Sequence, residues 1–302
     1  MKGRYVKIPP AFMDRLQELG LDSSIYEKYP RKAVYILKKE QEIKSEFDVW
    51  PVPWADHLYF TDHSQEIQEK YYSSVFVQDA ASVVPVLALG VTSDCTVLDM
   101  CAAPGSKTLH VAERAARVIA CDVHEGRIRR LRHNLGRLGL TNCVVIRADG
   151  RRLVLEEKVD RVLVDAPCSG EGMVGKIHKV LKMWSVKRIA RLAALQKRLV
   201  LHGLDLLKEG GILVYCTCTF APEENEGVID WVLTKGDAVL EKITVENLQY
   251  SPGLNHWRNH AYHSDLEKTI RIYPFHNDTN GFFIARLRKC EVSQVREPGS
   301  KS

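Results

Sequence analysis

From Thr96 onward, short apolar runs alternate with longer amphipathic stretches. TVLDM (Thr96–Met100), VIAC (Val118–Cys121), CVVIR (Cys143–Arg147), RVLV (Arg161–Val164) and GILVYC (Gly211–Cys216) are continuous and rich in branched residues. Strands buried on both faces have this pattern. Between the first three runs, Gly105–Ala115 and Glu125–Leu138 carry apolar residues at helical spacing. This alternation predicts an α/β fold, a parallel sheet covered by helices on both faces. Before it, Phe76–Gly90 predicts a turn leading into a buried helix, with Gln78 and Asp79 where the helix begins.

The N-terminal region has a different rhythm. Pro10–Leu19 predicts a short amphipathic helix with Phe12, Leu16 and Leu19 on one side and Gly20 at its end. AVYIL at Ala33–Leu37 predicts a strand, and Pro51 and Pro53 keep Val49–Trp54 (VWPVPW) out of a regular helix. We therefore divide the chain into a small α/β appendage with possible RNA-binding character (1–72), a main domain (73–290) and a polar tail (291–302).

Charge changes this picture little: 43 basic against 38 acidic residues give +5 over 302 residues. A nucleic-acid surface must then come from local clusters, of which Arg127–Arg137 and Lys176–Arg198 stand out; both also have the period of solvated helix faces. The eight cysteines show no CxxC pair and no secreted-scaffold spacing, so they read as reduced thiols of an intracellular protein. MKGRYVKIPP lacks a signal region, and no run reaches membrane-spanning length.

The candidate chemistry lies where the predicted strands end. VLDMCAAPGSKT (Val97–Thr108) passes from strand through a small-residue turn into a helix, leaving backbone N–H groups for an anionic ligand. It is not the GxGxxG dinucleotide turn. Asp122 ends the second strand, where such sheets hold a ribose, although an ordinary helix cap is the competing reading. Asp149, Asp165, and Thr217 with Cys218 end the next three strands. Cys168 in DAPCSG and Cys218 in YCTCT fall in polar turns at this ligand edge, where a thiolate is reactive. Cys216 we assign to packing on the opposite strand face from Cys218.

At these residues the chain resembles the Sun family of RNA cytosine-5 methyltransferases. The resemblance runs from about Phe76 to Lys289 through QDAAS, CAAPGSKT, DAPCSG, the ALQKRLVLHGLDLLKEGGILVYCTCT run, PEENE and TNGFF. It implies a Rossmann-like class I methyltransferase sheet, mostly parallel, whose last strand (Gly281–Leu287) is antiparallel at the sheet edge. It also implies S-adenosylmethionine as methyl donor and cytosine in RNA as acceptor, flipped out or single-stranded so that carbon 6 is reachable. By the family pattern Cys218 is the nucleophile and Cys168 assists release of the covalent intermediate. DNA cytosine-5 methyltransferases instead attack with their Pro-Cys thiol, and residue chemistry alone leaves both assignments open.

The same resemblance assigns Asp165 to the base's amino edge, and Lys107 to holding the cofactor and lowering the thiolate's pKa. Cys101, Ala102, Ala103, Pro104 and Gly105 take the methionine end, Asp122 the ribose with Arg127 beside it, and Asp149 the adenine amino group; Asp165 also lines the cofactor. The sequence departs from the family at Cys216, usually Ser or Thr, at Ser106, often Gly, and at GKIHKVLKMW, which replaces an Arg-Asn-Pro stretch. Size favours tRNA over rRNA as substrate and a single-chain enzyme of the cytoplasm, or of a nucleus or organelle in a eukaryote. A partner protein for target recognition remains compatible. A catalytically silent RNA-binding factor on the same fold is the rival class, and the pairing of Cys168 and Cys218 with Asp165 and Lys107 argues against it. His256, His260 and His263 would share a helix face and could suggest a metal, but with Pro252 and Gly253 before them we expect a solvated or RNA-facing loop.

Overall fold

The computed structural model describes residues 8–235 and 237–291. The polar tail from 292 onward lies outside the described residues. The chain opens with α1 (Pro10–Glu18), β1 (Lys32–Ile36), α2 (Glu40–Glu46), β2 (Trp50–Pro51), β3 (Leu58–Phe60), α3 (Ser64–Lys70) and β4 (Val75–Asp79). The four strands form an antiparallel sheet in the order β2-β3-β1-β4. Phe76–Asp79, expected as a turn, is therefore strand, pairing with β1 from Lys32↔Asp79 to Ile36↔Val75. The helix expected there starts later, as α4 (Val84–Leu89), after one tight turn in which Asp79 Oδ1 accepts from Ala81 N at 2.9 Å.

The main sheet is built from β5 (Thr96–Asp99), α5 (Ser106–Ala112), β6 (Arg117–Asp122), α6 (Glu125–Leu138), β7 (Cys143–Arg147), β8 (Val159–Asp165), α7 (Ile177–Met183), α8 (Val186–Leu206) and β9 (Leu207–Thr217). After α9 (Glu226–Leu233) come β10 (Ala238–Glu241), β11 (Ser251–Pro252), β12 (His256–Trp257), β13 (His260–Ala261), β14 (Ile270–Ile272), α10 (Pro274–Asn277) and β15 (Phe282–Lys289). The spatial order is β11-β14-β15-β9-β8-β5-β6-β7, with β5 to β9 parallel.

β15 is antiparallel to β9, as expected, but it is not an edge strand. β14 and β10 pair along its other side. This explains the unbroken FFIA run: those side chains are buried on both faces while both backbone edges are hydrogen-bonded.

Alternate residues of each strand feed two cores. Val97, Leu163 and Val214 face α4, α5 and α6, while Leu98, Val162 and Leu213 face α8 and α9. The N-terminal sheet joins the first core through Tyr35, Trp54 and Phe60. Phe12 and Leu16 of α1 pack on Ile177, Leu181, Phe220 and Tyr273, and Arg15 is doubly bonded to Glu223 at 3.0 and 2.6 Å. The appendage is thus welded to the segment that follows Cys218.

The three histidines do not share a helix. His256 and His260 lie in the exposed β12–β13 hairpin, and among the described residues no group of ligating side chains could hold a metal. No helix among them is long and apolar enough to cross a membrane.

Candidate active site

From β5 the chain adds β6 and β7 on one side, then returns to place β8 and β9 on the other. Ligands of open parallel sheets bind at the carboxyl ends of the strands beside such a reversal. The predicted site residues meet there in two halves.

The half over β5–β7 is shaped by the Cys101–Gly105 turn. Ala102 N donates to Cys121 O at 2.9 Å, fixing the turn above β6. Gly105 has φ +109, and a Cβ there would come 2.8 Å from Leu131 Cδ1, so this position requires glycine. Asp99, buried beneath, accepts from Thr108 Oγ1 at 2.8 Å; burial pushes its carboxyl up to about 7. Asp122 is also buried. Its Oδ1 accepts from His124 N at 3.0 Å, so the cap reading holds, but its Oδ2 has no hydrogen-bond donor. A buried carboxylate oxygen that accepts no hydrogen bond can take one from an arriving donor, and a ribose hydroxyl is suitable.

Arg127 stands 3.3 Å from that oxygen and hydrogen-bonds the Ala103 carbonyl, so it braces the turn against Asp122 rather than lying free on the helix surface. Pro104 is exposed, with its carbonyl accepting from Asn134 Nδ2 at 2.9 Å. Asp149 is held by Arg151 through backbone N at 3.0 Å and Nε at 2.9 Å, which keeps its carboxyl down at about 2. An adenine amino group would share it with Arg151. The Cys101 thiol is pushed well up by burial and is no nucleophile.

Over β8–β9 the thiols converge. Cys168 and Cys218, separated by 50 residues in sequence, have their Sγ atoms 3.2 Å apart. Lys107 reaches across from α5, its buried Nζ donating to Asp165 Oδ2 at 2.7 Å and lying 5.2 Å from the Phe282 ring centroid. Burial lowers the ammonium's pKa, but Asp165 above all, then Cys216 and Cys218, more than restore it, so Lys107 stays charged. The hydrogen bond with Cys218, then burial, push the Cys168 thiol well above its ordinary range. Cys168 therefore keeps its proton beside Cys218.

The placement of Cys216 needs correcting. Residues two apart on a strand share a face, and its buried Sγ lies 3.4 Å from Asp165 Oδ1, in the core against which Cys218 also packs. It lines the site from below.

Sequence reading missed the frame around the thiols. Buried Glu224 accepts from Ser169 N at 3.0 Å and from Gln196 Nε2 at 2.8 Å, while Gln196 also donates to Pro167 O at 2.9 Å. Ser169 and Thr219, each following a cysteine, share a 2.6 Å hydroxyl contact. Asn225 accepts from Thr217 Oγ1 at 2.6 Å and donates to Thr219 O at 2.9 Å. Gly172 N donates to Cys218 O at 2.9 Å, and Gly281 N to Gly172 O at 2.8 Å. A Cβ on Gly172 would fall 2.7 Å from Gly281 O, so the two strand-end loops approach as only glycine allows. A glutamine on the apolar face of α8 and carboxylates clustered in PEENE were the available signals.

The profile of the 16S rRNA methyltransferase RsmB/F family matches residues 86–288. The chain belongs to the RsmB/F methyltransferase family. It is a methyltransferase, and its methyl donor is S-adenosylmethionine; the Cys101–Gly105 turn and the Asp122 oxygen that accepts no hydrogen bond fit that group. The Sun-family resemblance is borne out by the relatives. The chain is 39% identical over 256 residues to a tRNA (cytosine(49)-C(5))-methyltransferase of Pyrococcus abyssi, covering 82% of each chain. It is 39% identical over 225 residues to a human 28S rRNA (cytosine(4447)-C(5))-methyltransferase, matching 72% of this chain but only 28% of that longer one. The fold superimposes on a methyltransferase homologue from Pyrococcus horikoshii with a TM-score of 0.78 at 30% identity, covering 93% of this chain and all of the other.

For this RsmB/F member, Glu224 should make stability pH-dependent. Burial raises its carboxyl from 4.5 to about 7, so the folded state keeps the proton longer than the unfolded one. Stability from this group is complete below about pH 4.5 and is lost as pH rises through about 7, by up to ~3 kcal/mol. In urea denaturation Glu224→Gln should gain stability over the wild type at about pH 8 and not at about pH 4. Equal differences at both values contradict the assignment.

Proposed function

We propose that this enzyme methylates carbon 5 of cytosine in RNA, with tRNA the first substrate class and rRNA the second, through a covalent intermediate on Cys218. The observation that carries the reading is the 3.2 Å approach of the two thiols beside the Lys107–Asp165 bridge. Carbon 5 of cytosine is a weak nucleophile. The Cys218 thiolate adds to carbon 6, breaking the C5–C6 double bond and placing its electron pair on carbon 5. Asp165 accepts a hydrogen bond from the base's amino group and favours a proton on nitrogen 3, which draws electrons from carbon 6 during attack. The Lys107 cation stabilises negative charge on the Cys218 sulfur and holds Asp165 in place.

Bound S-adenosylmethionine supplies an electrophilic methyl group to carbon 5. Cys101–Gly105 and Asp122 hold the donor, with Arg127 bracing both and Asp149 at the adenine end. In release a solvent water takes the proton from carbon 5, the C5–C6 double bond re-forms from that electron pair, and the Cys218 sulfur leaves as thiolate. Cys168, in contact with that sulfur, assists this step.

All four reacting side chains belong to one chain, which supports a single-chain catalytic unit. The tRNA preference follows the Pyrococcus abyssi relative, whose length the chain spans by 82%, against 28% for the human rRNA enzyme. Bisulfite sequencing of total RNA from cells with and without the gene tests it. Loss of 5-methylcytosine at a tRNA position is expected; loss only in rRNA moves the substrate class, and no change at any site overturns the reading.

A further inference from the structure

We propose that the groove between Ser24–Pro30 and Pro274–Thr279 is a stacking subsite for an unpaired RNA base flanking the target cytosine. The inference rests on the RNA reading above and names where a second nucleotide sits.

The groove holds about 280 Å³ and presents Tyr29 and Phe275, which are 71% and 62% exposed. Rings of this size usually bury their faces or serve recognition. Both are firmly backed. Phe275 stacks on Tyr273, with centroids 5.5 Å apart and planes 16° from parallel, and Tyr273 lies 5.4 Å from Phe220, two residues beyond Cys218. Tyr29 lies against Gly175, where a Cβ would come 3.6 Å from its ring, in the segment that follows Cys168.

The groove also abuts the active site. Thr279 lines it and leads through Asn280 to Gly281, which is hydrogen-bonded to Gly172 and through it to the Cys218 carbonyl. In this proposal an extended strand presenting its cytosine to Cys218 runs along this wall. Cations that a phosphate can reach border the groove, although Lys28 is shared with Asp278 of its lining. Lys28 stands at the rim, its side chain 76% exposed and its Nζ 2.6 Å from Asp278, and Lys176 and Lys179 are exposed at the start of α7. Aromatic platforms bordered by cations bind single strands with little base preference, since every base has a π face. A flipped cytosine also leaves its neighbours partly unstacked, and a protein ring in their place offsets that cost.

The test uses the full chain and a short single-stranded oligoribonucleotide with one cytidine and the fluorescent base 2-aminopurine placed in turn at each flanking position. At one position fluorescence should be quenched on binding. Tyr29→Ala and Phe275→Ala should each abolish the quenching and weaken affinity about tenfold, equivalent to ~1.4 kcal/mol. Phe275→Trp should restore both, and S-adenosylmethionine affinity should be unchanged in all three variants. Binding without quenching at any position, or alanine variants that bind as tightly as the wild type, overturns the subsite. Because fluorescence reads binding without methyl transfer, this failure is distinct from a failure of the catalytic reading; an oligoribonucleotide that does not bind the wild type overturns both.

Discussion

Cys218→Ala should abolish methyl transfer to RNA, a loss on the order of 10⁴-fold or more, because carbon 5 has no route to nucleophilicity without a bond at carbon 6. S-adenosylmethionine should bind the variant as it binds the wild type, since most residues proposed to hold the donor, Cys101–Gly105, Asp122 and Asp149, follow β5, β6 and β7 while Cys218 follows β9. Calorimetric titration of the donor beside a radiolabelled methyl-transfer assay separates the two quantities. Retained turnover in Cys218→Ala, with complete loss in Cys168→Ala, would exchange the two thiols' roles. The environment speaks against that exchange. Cys168 is held protonated by its contact with Cys218 and by burial. Lys107, kept cationic by Asp165 and the neighbouring sulfurs, brings a positive charge to the thiol site.

Cys168→Ala should behave differently. Addition and methylation proceed on Cys218, but release is slowed, so the enzyme should methylate about one RNA per active site in a burst and then turn over at least about 10²-fold more slowly than the wild type. Quenched-flow measurement of methylated RNA reads the burst amplitude directly. A uniformly slow reaction without a burst would place Cys168 before methyl transfer rather than after it. The substitution removes a half-buried sulfur but not the loop's frame. The loop is held by main-chain and polar contacts, Ser169 N to Glu224 and Pro167 O to Gln196, that do not involve the thiol.

The sequence pattern made the order of elements from β5 to β9 legible, although β9 begins at Leu207 rather than Gly211 and α5 ends at Ala112 rather than Ala115. Glu125–Leu138 and Cys143–Arg147 are observed with the predicted bounds, because long amphipathic periods and branched apolar runs are set locally. β4, β10 and β14 were not legible, since each is short and held by antiparallel pairing with a strand far along the chain, β4 with β1 and β10 and β14 with β15. Missing β10 and β14 is also what left β15 at the sheet edge. In the site, Cys168, Cys218, Asp165 and Lys107 announce themselves by motif, and the strand ends bring them together. Gln196 and Glu224 carry only weak local signals, a glutamine on an apolar helix face and a carboxylate within PEENE, and their role shows only when Glu224 is seen with its donors Ser169 and Gln196 around it. Cys216 was misplaced although the pattern was there to be read: strand alternation puts it on the face of Cys218, where its Sγ meets Asp165.

The central claim is that Cys218 forms the bond to cytosine and Cys168 helps break it. Cys168→Ala incubated with S-adenosylmethionine and unfractionated tRNA, then denatured, digested with protease and nuclease and mapped by mass spectrometry, tests both halves together. The account predicts a denaturant-resistant protein–RNA adduct whose methylated cytosine is attached to the peptide containing Cys218. An adduct accumulating instead in Cys218→Ala, attached at Cys168, would contradict it.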